Sequence, residues 1–331
     1  MEKNHYSHFT KIAIETLKNG EKYPYNIYRQ VDEKIFSILV QKETPLSMVN
    51  QCFCVDEVDS NFYIKSEDKL KYYTFIQHHI TDILDDDKIN MDVKASFIKE
   101  IASVTMHELF SSDVNSENLS KINTLVNNSI KLMLTDRNAM YSMLKVTSFD
   151  YYTYTHCIDV ATYALGFGSY LQLELDELNT LGKAAMLHDI GKKNIPHEII
   201  TKNGTLTPEE FEIIKQHPTY SVDILTQNGE NNERILLLIE QHHEKCDGSG
   251  YPKGLTENEI DKLAKIIAVC DVFNALTTRR TYKDRMTSFD AFKIMCTQMN
   301  HHLCTETLKK FITFMGCHYK QDQDGALLVE H

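Results

Sequence analysis

The sequence predicts a mainly α protein, with a helical bundle in roughly its C-terminal half and a small α/β module and connecting helices before it. Three observations carry this. Glycine is absent between Gly20 and Gly166, so the middle of the chain lacks a residue that weakens long regular elements. Apolar residues recur at helical spacing from about residue 70 onward. Four of the six prolines fall between Pro196 and Pro252, which marks 190–255 as rich in turns.

Residues 1–70 read as mixed. The stretch 1–19 includes a helical pattern in Phe9, Ile12, Ile14 and Leu17, whereas 27–30, 35–41 and 61–64 have the β-branched and aromatic content of strands. Helical spacing then holds through Tyr73, Ile76, Ile80, Ile83 and Leu84, and again through Ile122, Leu125, Val126, Ile130, Leu132 and Leu134. The segment 111–118 reads as a connection. Past residue 145 the helical pattern continues. Asp176 is placed to cap the helix that runs into His188, and Gly191 stands where a helix end favours positive φ. In Thr207-Pro208-Glu209-Glu210, Thr207 caps, Pro208 suits the first helical position and Glu210 completes a capping box.

A length of 331 residues suits about two domains, and 42% hydrophobic with 25% charged residues is ordinary globular composition. No stretch approaches the roughly 18–20 apolar residues a membrane helix needs, and residues 1–10 carry no signal-peptide pattern. A cytoplasmic protein without a membrane partner is therefore expected. The eight cysteines are scattered, with Cys52 and Cys54 the one close pair, so they read as small buried hydrophobes and not as a disulfide or zinc framework. A formal net charge of −12 argues against a nucleic-acid polymer as partner. For a phosphate-bearing substrate, bound metal ions would have to supply the local positive charge.

One set of residues could hold them. His156, the adjacent pair His188 and Asp189, His217, the adjacent pair His242 and His243, and Asp271 are separated by successive gaps of 32, 29, 25 and 29, counted from 156 to 188, 217, 242 and 271. Such gaps suit one ligand per helix in a bundle, whose core can assemble a metal site. Imidazole with carboxylate suits iron, manganese or zinc. A bridging Asp189 would let two metals share a hydroxide and clamp a phosphodiester. Each residue alone is weak evidence, since a lone helical histidine is more often packed or solvated. The pairs His78-His79 and His301-His302 have no supporting context and read as surface residues.

The surrounding motifs lift the first set above that background. His242 to Leu255 closely resembles the signature HHExxDGxGYPxGL, His188 to Lys192 matches HDxGK, and Asp271 to Tyr282 resembles DxFDALTxxRPY. On these motifs the chain is similar to the HD-GYP family of the HD phosphohydrolase superfamily over about residues 145–300. The resemblance implies an HD-type helical bundle and hydrolysis of cyclic di-GMP to linear pGpG, GMP or both, through a hydroxide activated by two metals, usually iron or manganese. Carried over by position, the metal ligands are His156, His188, Asp189, His217, His242, His243 and Asp271. Asp189 and Lys192 are the catalytic pair, with Lys192 on the substrate phosphate. Arg280 and Lys283 would also hold phosphate, and Tyr251 belongs to the GYP loop, where Gly248 and Gly250 allow a tight turn. The implied organisation is a regulatory module at 1–70, a helical connector at 71–140 and the catalytic domain at 141–320. The implied partners are a cyclic dinucleotide, a diguanylate-cyclase domain at the GYP loop, and a second copy in a homodimer.

The departures from the family pattern are specific. Tyr152 stands where members with three metals carry a glutamate, which predicts two metals here. Ser221 replaces a glycine, Asn274 an aspartate, Thr281 a proline and Cys246 a common aromatic. These four are expected to affect loop geometry, turnover and substrate preference, and to leave metal binding alone. Other readings are a phosphodiesterase specific for cyclic GMP–AMP, a non-enzymatic receptor or interaction module, and a general phosphate-monoester hydrolase, against which the GYP signature weighs.

Overall fold

The computed structural model describes residues 8–12, 17, 21–32, 35–45, 62–135, 137–145, 147, 153–202, 204–278 and 286–324. The chain divides into two compact units, Met1–Val104 and Thr105–His331. Among the described residues, no helix is long and apolar enough to cross a membrane.

The first unit holds a sheet of strands β1 (Phe9–Ile12), β2 (Ile27–Asp32), β3 (Ile35–Val40) and β4 (Phe62–Lys65). Their order is β1-β4-β2-β3, and every pairing is antiparallel. β4 shows the alternation of a half-buried strand, with Phe62 and Ile64 buried and Lys65 exposed. Helix α1 (Lys69–Asp85) follows, and the residues read as its apolar face, Tyr73, Ile76, Ile80, Ile83 and Leu84, are all buried. One expectation fails here. The helical spacing predicts a helix through Phe9 and Ile12, yet they lie in β1, which pairs with β4 from Phe9↔Lys65 to Ile12↔Phe62, and Ile14 of the same pattern lies outside the described residues. The Phe9 ring stacks on Phe36 with centroids 4.0 Å apart. A partner strand 50 to 56 positions away decides this segment, and local periodicity cannot register it.

Helix α2 (Met91–Ser111) crosses the boundary between the units. The second unit continues with α3 (Ser116–Thr135), α4 (Arg137–Lys145), α5 (Thr153–Tyr170), α6 (Leu175–Leu187), a short 3-10 turn (Ile190–Asn194), α7 (His197–Ile200), α8 (Pro208–Ile214) and α9 (His217–Gln227). Helices α10 (Glu233–Gln241), α11 (Lys262–Thr277), α12 (Ser288–Thr297) and α13 (Thr305–Asp324) complete it. The connection expected at 111–118 is shorter than that, because Asn115 accepts the Asn118 N–H through Oδ1 at 2.9 Å and starts α3 early. Of the face predicted for α3, Leu134 points outward while Ile122, Leu125, Val126, Ile130 and Leu132 are buried.

Helix α5 is the central element. It is buried on all sides from His156 to Gly168, as a helix enclosed by its neighbours must be. It packs against α6 and α11, and α6 packs in turn against α3 and α10. An aromatic cluster closes one end, with Phe311 lying 5.2 Å from Phe167 and 5.3 Å from Phe273. The capping box predicted at Thr207 is present in full: Thr207 Oγ1 accepts the Glu210 N–H, and Glu210 Oε2 accepts the Thr207 N–H. Asp176 does not cap α6. Glu174 occupies that position and Asp176 lies in the first turn, where a carboxylate still complements the helix dipole.

Candidate metal centre

Three histidines are set in place by one local device. His188 and His242 stand immediately after the last residues of α6 and α10, and His217 stands three residues after Ile214, the end of α8. A helix leaves its final carbonyls without an amide partner in the next turn. Each ring takes up one of these: His188 Nδ1 donates to Ala185 O at 2.8 Å, His217 Nδ1 to Ile214 O at 2.7 Å and His242 Nδ1 to Ile239 O at 2.5 Å. Every bond spans three residues, and in the neutral ring each leaves Nε2 facing inward and free to offer a lone pair.

His156 is different. It lies inside the first turns of α5, far from any helix C-terminus. Its Nδ1 donates to the Asn274 Oδ1 at 2.7 Å, and its Nε2 lies 3.0 Å from Asp271 Oδ1. Asp271 and Asn274 are three apart on α11 and so share one face.

Asp189 stands at the middle. Its Oδ1 is 3.2 Å from His217 Nε2, and its Oδ2 is 3.5 Å from His188 Nε2 and 3.8 Å from His156 Nε2. His217 Nε2 and His242 Nε2 approach to 3.2 Å, and His243 Nδ1 lies 3.8 Å from Asp271 Oδ2. All seven residues named as ligands from the sequence therefore converge. They form two groups, His156, His188 and Asp271 in one and Asp189, His217, His242 and His243 in the other, with donor atoms within 4.8 Å of one another inside each group.

The donor set fits divalent ions. His188 Nε2 and Asp189 Oδ1 are buried without a hydrogen-bond partner, a costly arrangement in a protein interior unless something else satisfies them. Burial pushes the Asp189 carboxyl up, but Lys192 and His188 outweigh it and hold the group well below the usual carboxylate range. Asp271 is lowered too: burial opposes this, and the His156 hydrogen bond with the charges of His156 and His243 prevails. Burial, followed by the neighbouring His243, holds His242 well below the ordinary imidazole value. Ionised carboxylates and a neutral imidazole are the forms that bind a metal. Cys157 Sγ also lies within reach of His188 and Asp189, and burial raises its thiol well above the ordinary range.

Lys192 projects from the turn after Asp189, and its Nζ lies 2.6 Å from Asp189 Oδ2. The neighbouring Lys193 donates to Leu109 O at 2.8 Å and to Ser112 O, which ties the same turn to the end of α2. Tyr251 lies at the rim, its ring centroid 4.8 Å from that of His243 and 6.3 Å from that of His217. The loop carrying it is held by the buried Glu244, whose Oε1 accepts the Lys253 N–H at 2.7 Å and Oε2 the Leu255 N–H at 2.9 Å. Gly250 permits that path, because a Cβ there would meet Lys245 N at 2.3 Å. Arg280 and Lys283, expected on phosphate, lie outside the described residues, as do Tyr152 and Thr281.

Sequence reasoning missed three supporting roles. Gly191 has no positive φ. It is required by proximity, since a Cβ would meet His217 O at 2.0 Å and Ser221 N at 2.5 Å. Ser221 bonds across that contact: its Oγ accepts the Gly191 N–H at 2.8 Å and donates to the His188 carbonyl at 2.9 Å. Asn274 holds the His156 ring, so this departure touches the candidate metal centre directly and not only loop geometry. The only signal in the sequence was that Ser221 and Asn274 depart from the family pattern.

The sequence profile of the HD domain family matches residues 124–304. Among similar proteins are the cyclic di-GMP phosphodiesterase PA4108 of Pseudomonas aeruginosa (33% identical, covering 54% of this chain and 43% of that protein) and a cyclic di-GMP phosphodiesterase of Thermotoga maritima (50% identical, covering 33% and 30%). A 3'3'-cGAMP-specific phosphodiesterase 2 of Vibrio cholerae is 32% identical, covering 54% of this chain and 34% of that protein. The matches take in less than half the length of each relative. In fold, the chain is similar to Bd1817, a HDG"Y"P protein from Bdellovibrio bacteriovorus, with a TM-score of 0.64 at 18% identity over 93% of this chain and 99% of that one. With more than half its length matched by the family profile and the HD and GYP motifs in place, the chain belongs to the HD domain family, in the HD-GYP group.

Proposed function

We propose that this chain is a metal-dependent phosphodiesterase that hydrolyses cyclic di-GMP to linear pGpG, GMP or both. The observation that carries the reading is the position of Asp189, whose two carboxylate oxygens face the two groups of ligands. His156, His188 and Asp271 would hold one ion, His217, His242 and His243 the other, and Asp189 would bridge them. Two divalent ions, iron or manganese, would supply the positive charge and the water activation that phosphodiester hydrolysis needs. Lys192, already at the Asp189 carboxylate, would meet a phosphate oxygen and stabilise charge as it develops. Tyr251, beside His243, would bound the substrate, and Arg280 and Lys283 are assigned to phosphate by their motif positions.

The relatives named as cyclic di-GMP phosphodiesterases support that substrate. The similarity to Vibrio cholerae proteins named as specific for 3'3'-cGAMP favours one second reading, the mixed dinucleotide. In this proposal residues 1–70 are a cytoplasmic regulatory input, 71–140 a connector and 141–320 the catalytic domain. The exposed Pro252 and Lys253 would offer the GYP loop to a diguanylate-cyclase domain, and a homodimer is part of the same reading.

The test is direct. The purified chain is loaded with Fe(II) or Mn(II), its metal content is measured, and cyclic di-GMP, cyclic GMP–AMP and a generic phosphodiester are offered. Cyclic di-GMP turnover is expected. A metal-loaded sample that turns over no cyclic dinucleotide sinks the reading, and tight binding without turnover would identify a receptor.

A further inference from the structure

His156 takes its hydrogen-bond partner from a distant side chain and not from its own helix end. His188, His217 and His242 each give Nδ1–H to a backbone carbonyl three residues back, so their tautomers follow from local chain geometry. His156 sits in the first turns of α5, and its Nδ1 partner is a side chain 118 positions away, Asn274 Oδ1 at 2.7 Å. Both residues are buried, so no bulk water substitutes for that bond. Helix α11 thus grips both nitrogens of one ring: Asn274 at Nδ1, and Asp271 on the Nε2 side at 3.0 Å.

We propose that Asn274 is the positioning residue that makes His156 a metal ligand, and that its amide sets how strongly His156 donates. This inference rests on the metal-centre reading above. An imidazole that ligates through Nε2 must keep its proton on Nδ1, and the amide oxygen is the acceptor that holds it there. A neutral acceptor draws less on that proton than a carboxylate would, so His156 donates less electron density to its ion than with an aspartate behind it. Partners of this kind alter metal affinity by about 10–100-fold when removed. The identity of residue 274 therefore tunes the affinity of the group formed by His156, His188 and Asp271, while the group around His217 and His242 keeps its backbone-anchored strength.

The metal-free full chain is titrated with Mn(II), with the free ion read by electron paramagnetic resonance and helical content by circular dichroism. In N274A one of two binding events is expected to weaken about 10–100-fold and the other to stay as in wild type. N274D is expected to bind more tightly than wild type, and affinity equal to wild type overturns the tuning by the amide. Unchanged affinity in a folded N274A overturns the inference, and so does an N274D as weak as N274A, which would reduce Asn274 to a packing role. If N274A does not fold, N274D against wild type decides: weaker binding overturns the proposal. A wild-type chain that binds no Mn(II) overturns the metal-centre reading and this inference together, whereas normal binding without phosphodiester turnover leaves this inference intact.

Discussion

Ser221 donates its hydroxyl to the His188 carbonyl across 2.9 Å and accepts the Gly191 N–H at 2.8 Å, so one side chain of α9 ties down both flanks of Asp189. Replacing Ser221 by alanine leaves a buried N–H without a partner. The expected loss is about 1–3 kcal/mol of stability. Thermal unfolding of the metal-free chain checks it, and an unchanged midpoint would mean that the turn is held by other contacts.

Gly191 makes the same junction possible by having no side chain. A methyl group there would meet His217 O and Ser221 N inside contact distance, and both are backbone atoms that cannot swing away. Gly191→Ala is expected to cost at least about 1–3 kcal/mol and to lower metal loading with it. Thr207→Ala, at a cap exposed to solvent, is expected to cost about 1 kcal/mol and to leave metal loading unchanged. Urea denaturation with metal analysis of both variants separates damage at the centre from general destabilisation.

Asp189 and Lys192 can be told apart. Asp189→Ala removes the carboxylate that faces both ligand groups, so metal content and turnover should fall together. Lys192→Ala removes no ligand. It should keep its metals and lose turnover by on the order of 100-fold, the size of effect seen when one stabilising donor is deleted. A fully active Lys192→Ala enzyme would show that the ammonium serves only to pair with Asp189 in the metal-free chain.

Glu244 holds the GYP loop from beneath by accepting two backbone N–H groups. In Glu244→Gln one oxygen becomes an amide nitrogen that cannot accept, and one of those bonds is lost. The expected cost is about 1–3 kcal/mol, felt locally. KM for the cyclic dinucleotide should rise more than metal content falls, and protease cleavage near Lys253 should quicken. Equal loss of metal and turnover would place Glu244 in support of the ligands themselves.

The sequence by itself determined the helical class, the seven side chains that converge and the capping box at Thr207, because each depends on short-range pattern or motif spacing. How three of the histidines are held is short-range too, since His188, His217 and His242 bond carbonyls only three residues away, but no motif announces it. Tertiary structure alone decided the rest. Phe9–Ile12 is a strand because β4 lies beside it, and Gly191 is glycine because α9 comes within contact of it. His156 is held by Asn274 across 118 positions. A hydrogen bond or a contact forms between neighbours in space, and where those neighbours are far apart along the chain, no local periodicity records them.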